Sequence, residues 1–365
     1  MQTAQLLAQM AELGASDLHL QVGSPPMFRV QGELRQVDVD GTPLTASVVR
    51  DLISQITTDP QRERLESQRG VDFAHVVPNV ARFRVSAYYE RGQLAAAFRL
   101  VPARVPTLDE LNLPWVLREI ALVERGLVLV TGTTGSGKSS TLAAMIDHVN
   151  RSKKKRVITI EDPIEYVHAS NQSLVAQREV GADAEGFLLS LRQALRQDPD
   201  LILLGELRDK ETAITALQAA DTGHAVFSTL HTTNASQTVQ RLITMFPNDM
   251  RQLLLEDLAA NLEAVISQRL ARTVDGKARV PVLEVLRGTP MIKKLIADDR
   301  LHELSQVIAG KEQGMQLFDQ HLVELYKADF ITGTEAMRLA NNPEAVLMAK
   351  RGISSADLRG GLLKS

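Results

Sequence analysis

The run Gly132-Thr-Thr-Gly-Ser-Gly-Lys-Ser139 is the feature that most constrains the fold of this chain. It matches the pattern G-x-x-x-x-G-K-[ST] in full, after the apolar run Leu127 to Val130 and before a helical stretch from Ser139 to His148. A strand, a glycine-rich loop and the first turn of a helix are the context in which this motif binds phosphate groups. The sequence therefore predicts a nucleotide-binding domain.

Each residue type in this loop has a chemical task. Glycines let backbone N–H groups converge on phosphate oxygens, and the helix N-terminus adds its positive end. Lys138 is expected to reach the β- and γ-phosphates, and the hydroxyl of Ser139 is expected to bind Mg²⁺. The sequence has no Asn-Lys-x-Asp motif for guanine, which favours ATP over GTP. The predicted phosphate-binding residues are Gly132, Thr133, Thr134, Gly135, Ser136, Gly137, Lys138, Ser139 and Ser140.

Short apolar runs separated by helical patterns indicate the sheet in which the loop lies. Such runs are typical of parallel strands that are covered on both faces, as in doubly wound α/β folds. Ligands of these folds bind at the carboxyl ends of the strands. The predicted strands are Leu127–Val130, Val157–Ile160, Leu201–Leu204 and Ala225–Phe227.

Acidic residues follow two of these strands. Glu206 comes after Leu201–Leu204 and Gly205, and we predict that it is the general base and, with Ser139, a ligand of Mg²⁺. The strand Val157–Ile160 is followed by three acids that are predicted to line the nucleotide site, namely Glu161, Asp162 and Glu165. The alternatives are a solvated loop carboxylate for Glu206, and ion pairs or a helix cap for the other three.

Histidines flank the fourth strand. His231 follows it and is predicted to sense the γ-phosphate, whereas His224 precedes it and is predicted to contribute to nucleotide binding. A structural role is the alternative for both side chains.

The pattern changes along the chain and predicts its domain organisation. Residues 1–102 mix helix and strand signals, including an alternating stretch with Arg82, Arg84 and Ser86 on one face and a hairpin partner at Leu94 to Leu100. Prolines punctuate residues 103–115, which we interpret as a linker. Residues 116–288 hold the nucleotide-binding core, and residues 289–365 carry a helical pattern that predicts a C-terminal domain.

Composition excludes several classes of function. The 365 residues contain no cysteine, which excludes disulfides, a thiol nucleophile and cysteine-bound metals. The net charge of −3 and the aromatic content of 4% argue against nucleic acid as a partner. No apolar stretch approaches the roughly 18–20 residues that span a bilayer. The first lysine or arginine is Arg29, so no secretory signal is expected. We expect a cytoplasmic protein with only peripheral membrane contact.

The four strand ends together resemble the secretion ATPase superfamily of type II and type IV secretion systems. In that superfamily a glycine also precedes the Walker B glutamate, as Gly205 does here. The Walker A, Asp, Walker B and His boxes correspond to Gly132–Ser139, Ile158–Glu165, Leu195–Arg208 and Ser228–Ala235.

Within the superfamily the chain resembles the PilT/PilU branch of type IV pilus retraction ATPases. The resemblance is carried by Gly14–Leu20, Gly23–Pro26 and Gly314–Asp319, besides the four boxes. It implies a PAS-like α+β N-terminal domain, a RecA-like P-loop core with a mostly parallel sheet, and a helical C-terminal domain. It also implies a ring-shaped homohexamer that hydrolyses ATP with Mg²⁺ and retracts pili for twitching motility.

The resemblance further implies roles for arginines and for partners. Family members present arginines from the N-terminal domain toward the nucleotide, and Arg84 and Arg99 match that pair, with Arg82 adjacent. The implied partners are an inner-membrane platform protein of the PilC type and a PilT/PilU paralogue. A PilU-like accessory motor, an assembly or secretion ATPase, a hexameric nucleic-acid translocase and a non-motor regulator stay open as alternatives.

Overall fold

The computed structural model describes residues 2–36, 41–102 and 104–350. The chain divides into two compact units, Met1–Arg104 with Pro163–Val167 and Val105–Asp162 with His168–Ser365. The predicted separation of a linker, a core and a C-terminal domain within the second unit stays a prediction. Some residues of the predicted domains and linker lie outside the described residues, namely 1, 37–40, 103 and 351–365.

The first unit contains an antiparallel sheet in the order β3-β2-β1-β6-β5-β4. β5 and β6 form the predicted hairpin, whose two-residue turn has positive φ at Arg91 (47°) and Gly92 (76°). Its described elements are α1 (Thr3–Glu12), β1 (Asp17–Leu20), β2 (Met27–Val30), β3 (Glu33–Gln36), α2 (Ala46–Ser54), α3 (Asp59–Gln68), β4 (Gly70–Val77), β5 (Ala81–Glu90) and β6 (Gln93–Val101).

Alternation along β5 separates the two faces of this sheet, as predicted. Phe83 and Val85 are fully buried, whereas Arg84 between them is exposed. Leu7 and Met10 of α1 are also fully buried and belong to the same core. The first unit is therefore the α+β module that the sequence predicts, with one sheet face packed and the other polar.

The second unit begins with a helix and a strand that lead into the phosphate loop. Its described elements are α4 (Val116–Ala121), β7 (Gly126–Thr131), α5 (Lys138–Ser152), β8 (Arg156–Glu161), β9 (Leu174–Glu179), α6 (Phe187–Ala194), β10 (Leu201–Leu204), α7 (Lys210–Asp221), β11 (Ala225–Leu230), α8 (Ala235–Thr244), α9 (Arg251–Asn261), β12 (Leu262–Arg272), β13 (Arg279–Arg287), α10 (Pro290–Ala297), α11 (Leu304–Ala309), α12 (Phe318–Lys327), α13 (Gly333–Leu339) and α14 (Pro343–Lys350). The helical character of the C-terminal region is confirmed.

These strands form a sheet in the order β13-β12-β7-β11-β10-β8-β9, parallel throughout except for the pair β12 and β13. The four predicted apolar runs are its adjacent central strands β7, β11, β10 and β8, so that prediction is confirmed. Ala225 pairs with both Leu201 and Gly126, so the first residues of β11, β10 and β7 are aligned across the sheet. Their carboxyl ends therefore meet at one edge of the sheet.

Both faces of the sheet are covered, which explains why its strands are apolar throughout. Val128 and Val130 of β7 pack in a core with Met145 of α5, whereas Leu127 and Leu129 pack in a second core on the opposite face. All of these side chains are fully buried. Alternate residues of a single strand thus serve two hydrophobic cores.

The antiparallel pair β12 and β13 was not among the predicted strands. α9 ends at Asn261 and β12 begins at Leu262 with no turn residue between them, so no sequence signal marks the start of the strand. Phe318 and Leu322 of α12 pack against Val282 of β13 in a further core. α12 therefore lies against β13, whereas α10 and α11 pack in the core formed with α8 and α9. None of the helices within the described ranges has the length and apolar character that crossing a membrane requires.

Candidate active site

The phosphate loop has the backbone geometry that its sequence predicts. Gly132, Gly135 and Gly137 adopt φ values of 144°, 79° and 90°, which residues with a Cβ rarely adopt. A Cβ on Gly132 would lie 2.4 Å from the Gln268 carbonyl oxygen, and one on Gly137 would lie 2.7 Å from Gln268 Nε2. Two of these glycines are therefore required by close packing as well as by their conformation.

The loop holds its lysine in place through backbone carbonyl groups. Lys138 Nζ donates hydrogen bonds to the carbonyl oxygens of Gly132 (2.8 Å) and Thr133 (3.1 Å). Ser139 is exposed in the first turn of α5, and the buried Ser136 Oγ has no hydrogen-bond partner among the described residues. A glycine cradle, an ammonium group, an unpartnered hydroxyl and a helix N-terminus together fit a chain of phosphate groups.

Glu206, the predicted general base, lies next to His231, the predicted sensor of the γ-phosphate. Glu206 Oε2 is 3.2 Å from His231 Nε2, and the glutamate side chain is only 16% exposed. Glu206 also forms an ion pair with Arg208, whose guanidinium lies 3.9 Å from Asp162 Oδ2. The carboxyl ends of three neighbouring strands, β8, β10 and β11, thus contribute to one polar cluster.

His231 is held in its neutral form. Partial burial lowers its pKa, and the positive charges of Lys138 and Arg208 lower the pKa further. Leu230 pairs with Thr131 in the register of β11 and β7, so His231 follows β11 directly beside the start of the phosphate loop. A neutral ring carrying its proton on Nε2 donates to the Glu206 carboxylate and fixes the direction of that side chain.

The other predicted acids occupy different surroundings. Glu161 ends β8 and accepts hydrogen bonds on Oε1 from Thr159 Oγ1 (2.7 Å) and Gln177 Nε2 (3.0 Å). Asp162 is exposed and reaches the polar cluster through Arg208. Glu165 is exposed and lies in the segment that belongs to the first unit.

His224 lies at the opposite edge of the sheet from the phosphate loop. It directly precedes β11, and its ring Nδ1 is 3.0 Å from the Ala219 carbonyl oxygen at the end of α7. The backbone N–H of Gly126, the first residue of β7, donates to the His224 carbonyl. Because the phosphate loop follows the far end of β7, the structure does not bring His224 together with the loop of the same chain.

The predicted arginines of the first unit lie in one row across its sheet. Arg84 pairs with Arg99, Arg99 with Asp17, and Asp17 with Arg29 in successive strand registers. We call these four residues the arginine row. Arg82 is half-buried two positions from Arg84 along β5. The row carries three positive charges and one negative charge.

Asp17 holds the arginine row together. Its carboxylate accepts a hydrogen bond from Arg99 Nε at 2.8 Å, and Arg29 Nε lies 3.8 Å away. Burial raises the pKa of Asp17, but hydrogen bonds from Ser16 and Arg99 and the charge of Arg99 outweigh burial and lower the pKa below its ordinary value. Asp17 is therefore charged at neutral pH.

A cavity of about 310 Å³ opens beside the phosphate loop. Its other wall comes from β12, β13 and α13, which contribute basic and apolar side chains. A cavity of this size and lining suits the remainder of a nucleotide whose phosphates occupy the loop. The lining residues outside the loop include Thr233, Arg269, Leu270, Arg279, Arg338 and Leu339.

Comparison with known proteins identifies the family. The family described as type II/IV secretion system protein matches residues 2–323. The chain belongs to this secretion ATPase family. It is 46% identical to the type IV pilus retraction ATPase PilT of Pseudomonas aeruginosa, over 94% of the chain and 99% of that protein. It is 41% identical to the type IV pilus ATPase PilU of the same organism, over 97% of the chain and 93% of that protein.

A solved structure supports the same assignment. The crystal structure of the pilus retraction motor PilT with bound ADP superimposes with a TM-score of 0.89 at 40% identity, covering 94% of the chain and 98% of that structure. The predictions of a RecA-like α/β fold and of an ATPase that resembles PilT are thereby confirmed. The nucleotide in that structure belongs to the relative.

Sequence reasoning missed the residues of this secretion ATPase that support the loop from β12. Thr131 Oγ1 and Ser267 Oγ are 2.8 Å apart, and Gln268 is 2% exposed beside the loop. The available signal was the pair Ser267-Gln268, two uncharged polar residues directly after the apolar residues Val265 and Ile266. Arg208 was also missed as a partner of the base, although it lies only two residues from Glu206.

Proposed function

We propose that this chain is the subunit of an ATP-driven motor that retracts type IV pili. The observation that carries the proposal is the pair of Glu206 and His231 beside the phosphate loop that holds Lys138, in a chain that matches nearly all of PilT. The motor acts as a homohexamer at the cytoplasmic face of the inner membrane. Its partners are a PilC-like platform protein in that membrane and a paralogue of the PilT/PilU type.

The phosphate loop and its neighbours bind ATP. Backbone N–H groups of the loop and the hydroxyls of Ser136 and Ser140 surround the phosphate chain. Lys138 exchanges its two loop carbonyls for oxygens of the β- and γ-phosphates. Glu161 lies at the carboxyl end of β8, where hydrogen bonds from Thr159 and Gln177 orient its carboxylate.

Mg²⁺ fits this site although the protein offers it few ligands. Within the described residues, no cluster of three or more His, Asp or Glu side chains is arranged to hold a metal. Mg²⁺ in nucleotide sites keeps several waters and takes phosphate oxygens, so Ser139 and Glu206 suffice as protein partners. When bound, Mg²⁺ neutralises charge on the phosphates.

Glu206 activates the attacking water. Its carboxylate accepts the proton of the water, while His231 keeps the carboxylate oriented. Arg208 competes for the same carboxylate, so the base is most effective when Arg208 turns away from Oε1. Arg84 and Arg99, with Arg82 beside them, add positive charge at the γ-phosphate within the ring and stabilise the transition state.

Replacing Glu206 by Gln in the native host tests the function. We expect ATP binding to persist, turnover to fall by at least about a hundredfold and cells to carry many pili without twitching motility. Glu256→Gln, the same change at an exposed position of α9, is the matched control and should leave motility unchanged. Pilus counts, motility zones and the ATPase rate of the purified protein are the measurements.

The outcomes separate the alternatives. Cells without pili would assign the chain to pilus assembly, and DNA-stimulated ATPase activity would assign it to nucleic-acid translocation. The 41% identity to PilU supports a second candidate, an accessory retraction motor. In that case the Glu206→Gln strain should keep part of its motility, because the main retraction motor would be a different protein. Normal turnover in the variant would contradict the assignment of Glu206.

A further inference from the structure

Gln268 of β12 makes an unusual connection to the phosphate loop. Its side-chain amide is buried, and Nε2 donates to the Ser136 carbonyl oxygen at 2.8 Å. On the other side, Oε1 accepts a hydrogen bond from Thr141 Oγ1 at 2.7 Å. One amide group thus ties the last part of the loop to the first turn of α5.

The loop is packed against Gln268 as well as hydrogen-bonded to it. The positions of Gly132 and Gly137 leave no room for a Cβ, because the Gln268 carbonyl and amide nitrogen lie 2.4 and 2.7 Å from where it would be. Just before the loop begins, the hydroxyl groups of Thr131 on β7 and Ser267 on β12 form a hydrogen bond that joins these two strands. Gln268 therefore touches the start, the end and the following helix of the phosphate-binding segment.

The neighbouring residue continues this connection toward the C-terminal helices. Arg269 donates to the Leu339 carbonyl oxygen at 2.5 Å and to Asn341 Oδ1 at 2.7 Å. Its guanidinium also stacks on the Phe318 ring at 4.0 Å from the ring centre. Two consecutive residues of β12 thus link the phosphate loop to the helical region.

We propose that Gln268 is a positioning residue that holds the phosphate loop in its phosphate-binding conformation. It does not touch the reacting atoms; it acts through the Ser136 carbonyl and Thr141. Without the amide, a buried carbonyl and a buried hydroxyl lose their partners, and the segment moves to satisfy them. This inference rests on the proposed ATPase function.

The test compares Gln268→Leu with Gln316→Leu in the full-length protein. Gln316 is the matched control because its buried side chain also donates to a backbone carbonyl, that of Leu283 at 3.1 Å, away from the phosphate loop. Both changes should lower Tm. Only Gln268→Leu should weaken ADP binding about tenfold and raise KM for ATP by a similar factor, since the lost hydrogen bonds shape the loop.

Thr141→Val serves as a second variant where Gln268→Leu folds poorly. It removes the anchor of Oε1 and should weaken ADP binding about threefold. Combined with Gln268→Leu, it should add almost nothing, because both changes break the same connection. ADP affinity of Gln268→Leu or Thr141→Val within the error of the wild type would overturn the positioning role. A wild-type protein that does not bind ADP would overturn the ATPase function itself.

Discussion

Asp17 is the residue on which the arginine row depends. It is the one acid between Arg29 and Arg99, and its side chain is only 11% exposed. If Asp17 becomes neutral, three arginines face each other across neighbouring strands without a compensating charge. The position of Arg99 is therefore set by a carboxylate 82 residues away in the sequence.

Asp17→Asn should lower the free energy of unfolding by about 1 kcal/mol at pH 7. Because the pKa of Asp17 in the folded protein is below its ordinary value of 3.8, the stabilisation is present above that pH. It disappears as the pH falls through the folded-state value, so the difference between variant and wild type should shrink below about pH 4. Calorimetric Tm values between pH 7 and pH 3.5 measure this.

The matched control is Asp72→Asn, which changes an exposed acid of β4 in the same sheet. It should leave Tm unchanged at every pH. A difference between Asp17→Asn and the wild type that grows as the pH falls would contradict the assignment of the ion pair.

His321 attaches α12 to the sheet. Its Nδ1 accepts a hydrogen bond from the backbone N–H of Leu283 at 2.9 Å, and burial lowers its pKa to about 4. The folded state therefore requires an unprotonated ring, whereas the unfolded chain takes up a proton near pH 6.5. Protonation consequently opposes the packing of α12 against β13.

Between pH 7 and pH 4 this histidine should reduce the free energy of unfolding by about 3 kcal/mol. His321→Gln keeps an acceptor for Leu283 but does not titrate, so the acid-induced loss of stability should become smaller by that amount. His302→Gln, at a largely exposed histidine, is the control and should leave the pH dependence unchanged. Parallel pH profiles for the wild type and His321→Gln would refute this account.

Elements with a strong local signal were predictable, and those defined by distant contacts were not. The short apolar runs of β7, β8, β10 and β11, separated by helical patterns, are typical of strands buried on both faces, and the loop motif indicates which end of the sheet binds phosphate. β12 carries Gln268 and Arg269, whose polarity is explained only by groups on the loop and on the C-terminal helices. Long-range partners of this kind leave no periodic pattern in the sequence.

His224 is a predicted site residue that the order of the sequence itself argues against. A residue next to an apolar run lies at either the amino or the carboxyl end of the strand, and only the carboxyl end adjoins the phosphate loop. His231 follows β11 and reaches Glu206, whereas His224 precedes β11 and caps α7. The direction of the chain through the strand therefore separates two histidines that are seven positions apart.

The proposed ring can be tested by mixing two different variants of the subunit. If arginines of one subunit serve the nucleotide of its neighbour, Arg84→Ala and Glu206→Gln damage different halves of each site. Mixing the two inactive variants under conditions that exchange subunits should restore about a quarter of the sites. The ATPase rate of the mixture, relative to either variant alone, is the measurement.

Two mixtures serve as controls. Wild type mixed with Glu256→Gln should keep full activity, which shows that subunit exchange is harmless. Arg84→Ala mixed with Arg99→Ala should stay inactive, because both changes remove charge from the same half of the site. Equal inactivity of the Arg84→Ala and Glu206→Gln mixture would argue that each subunit supplies its own arginines.

The β13 edge of the sheet has a consequence for solubility. An open edge strand offers its N–H and C=O groups to any passing chain and promotes aggregation. Here the Leu283 N–H is occupied by His321, and the Leu283 carbonyl and Val285 backbone are occupied by Gln316. α12 and the segment around Gln316 thus cover backbone groups of β13 that would otherwise be open to pairing with another strand. In the ring proposed above, this cover would keep neighbouring subunits from pairing sheet to sheet at their high local concentration.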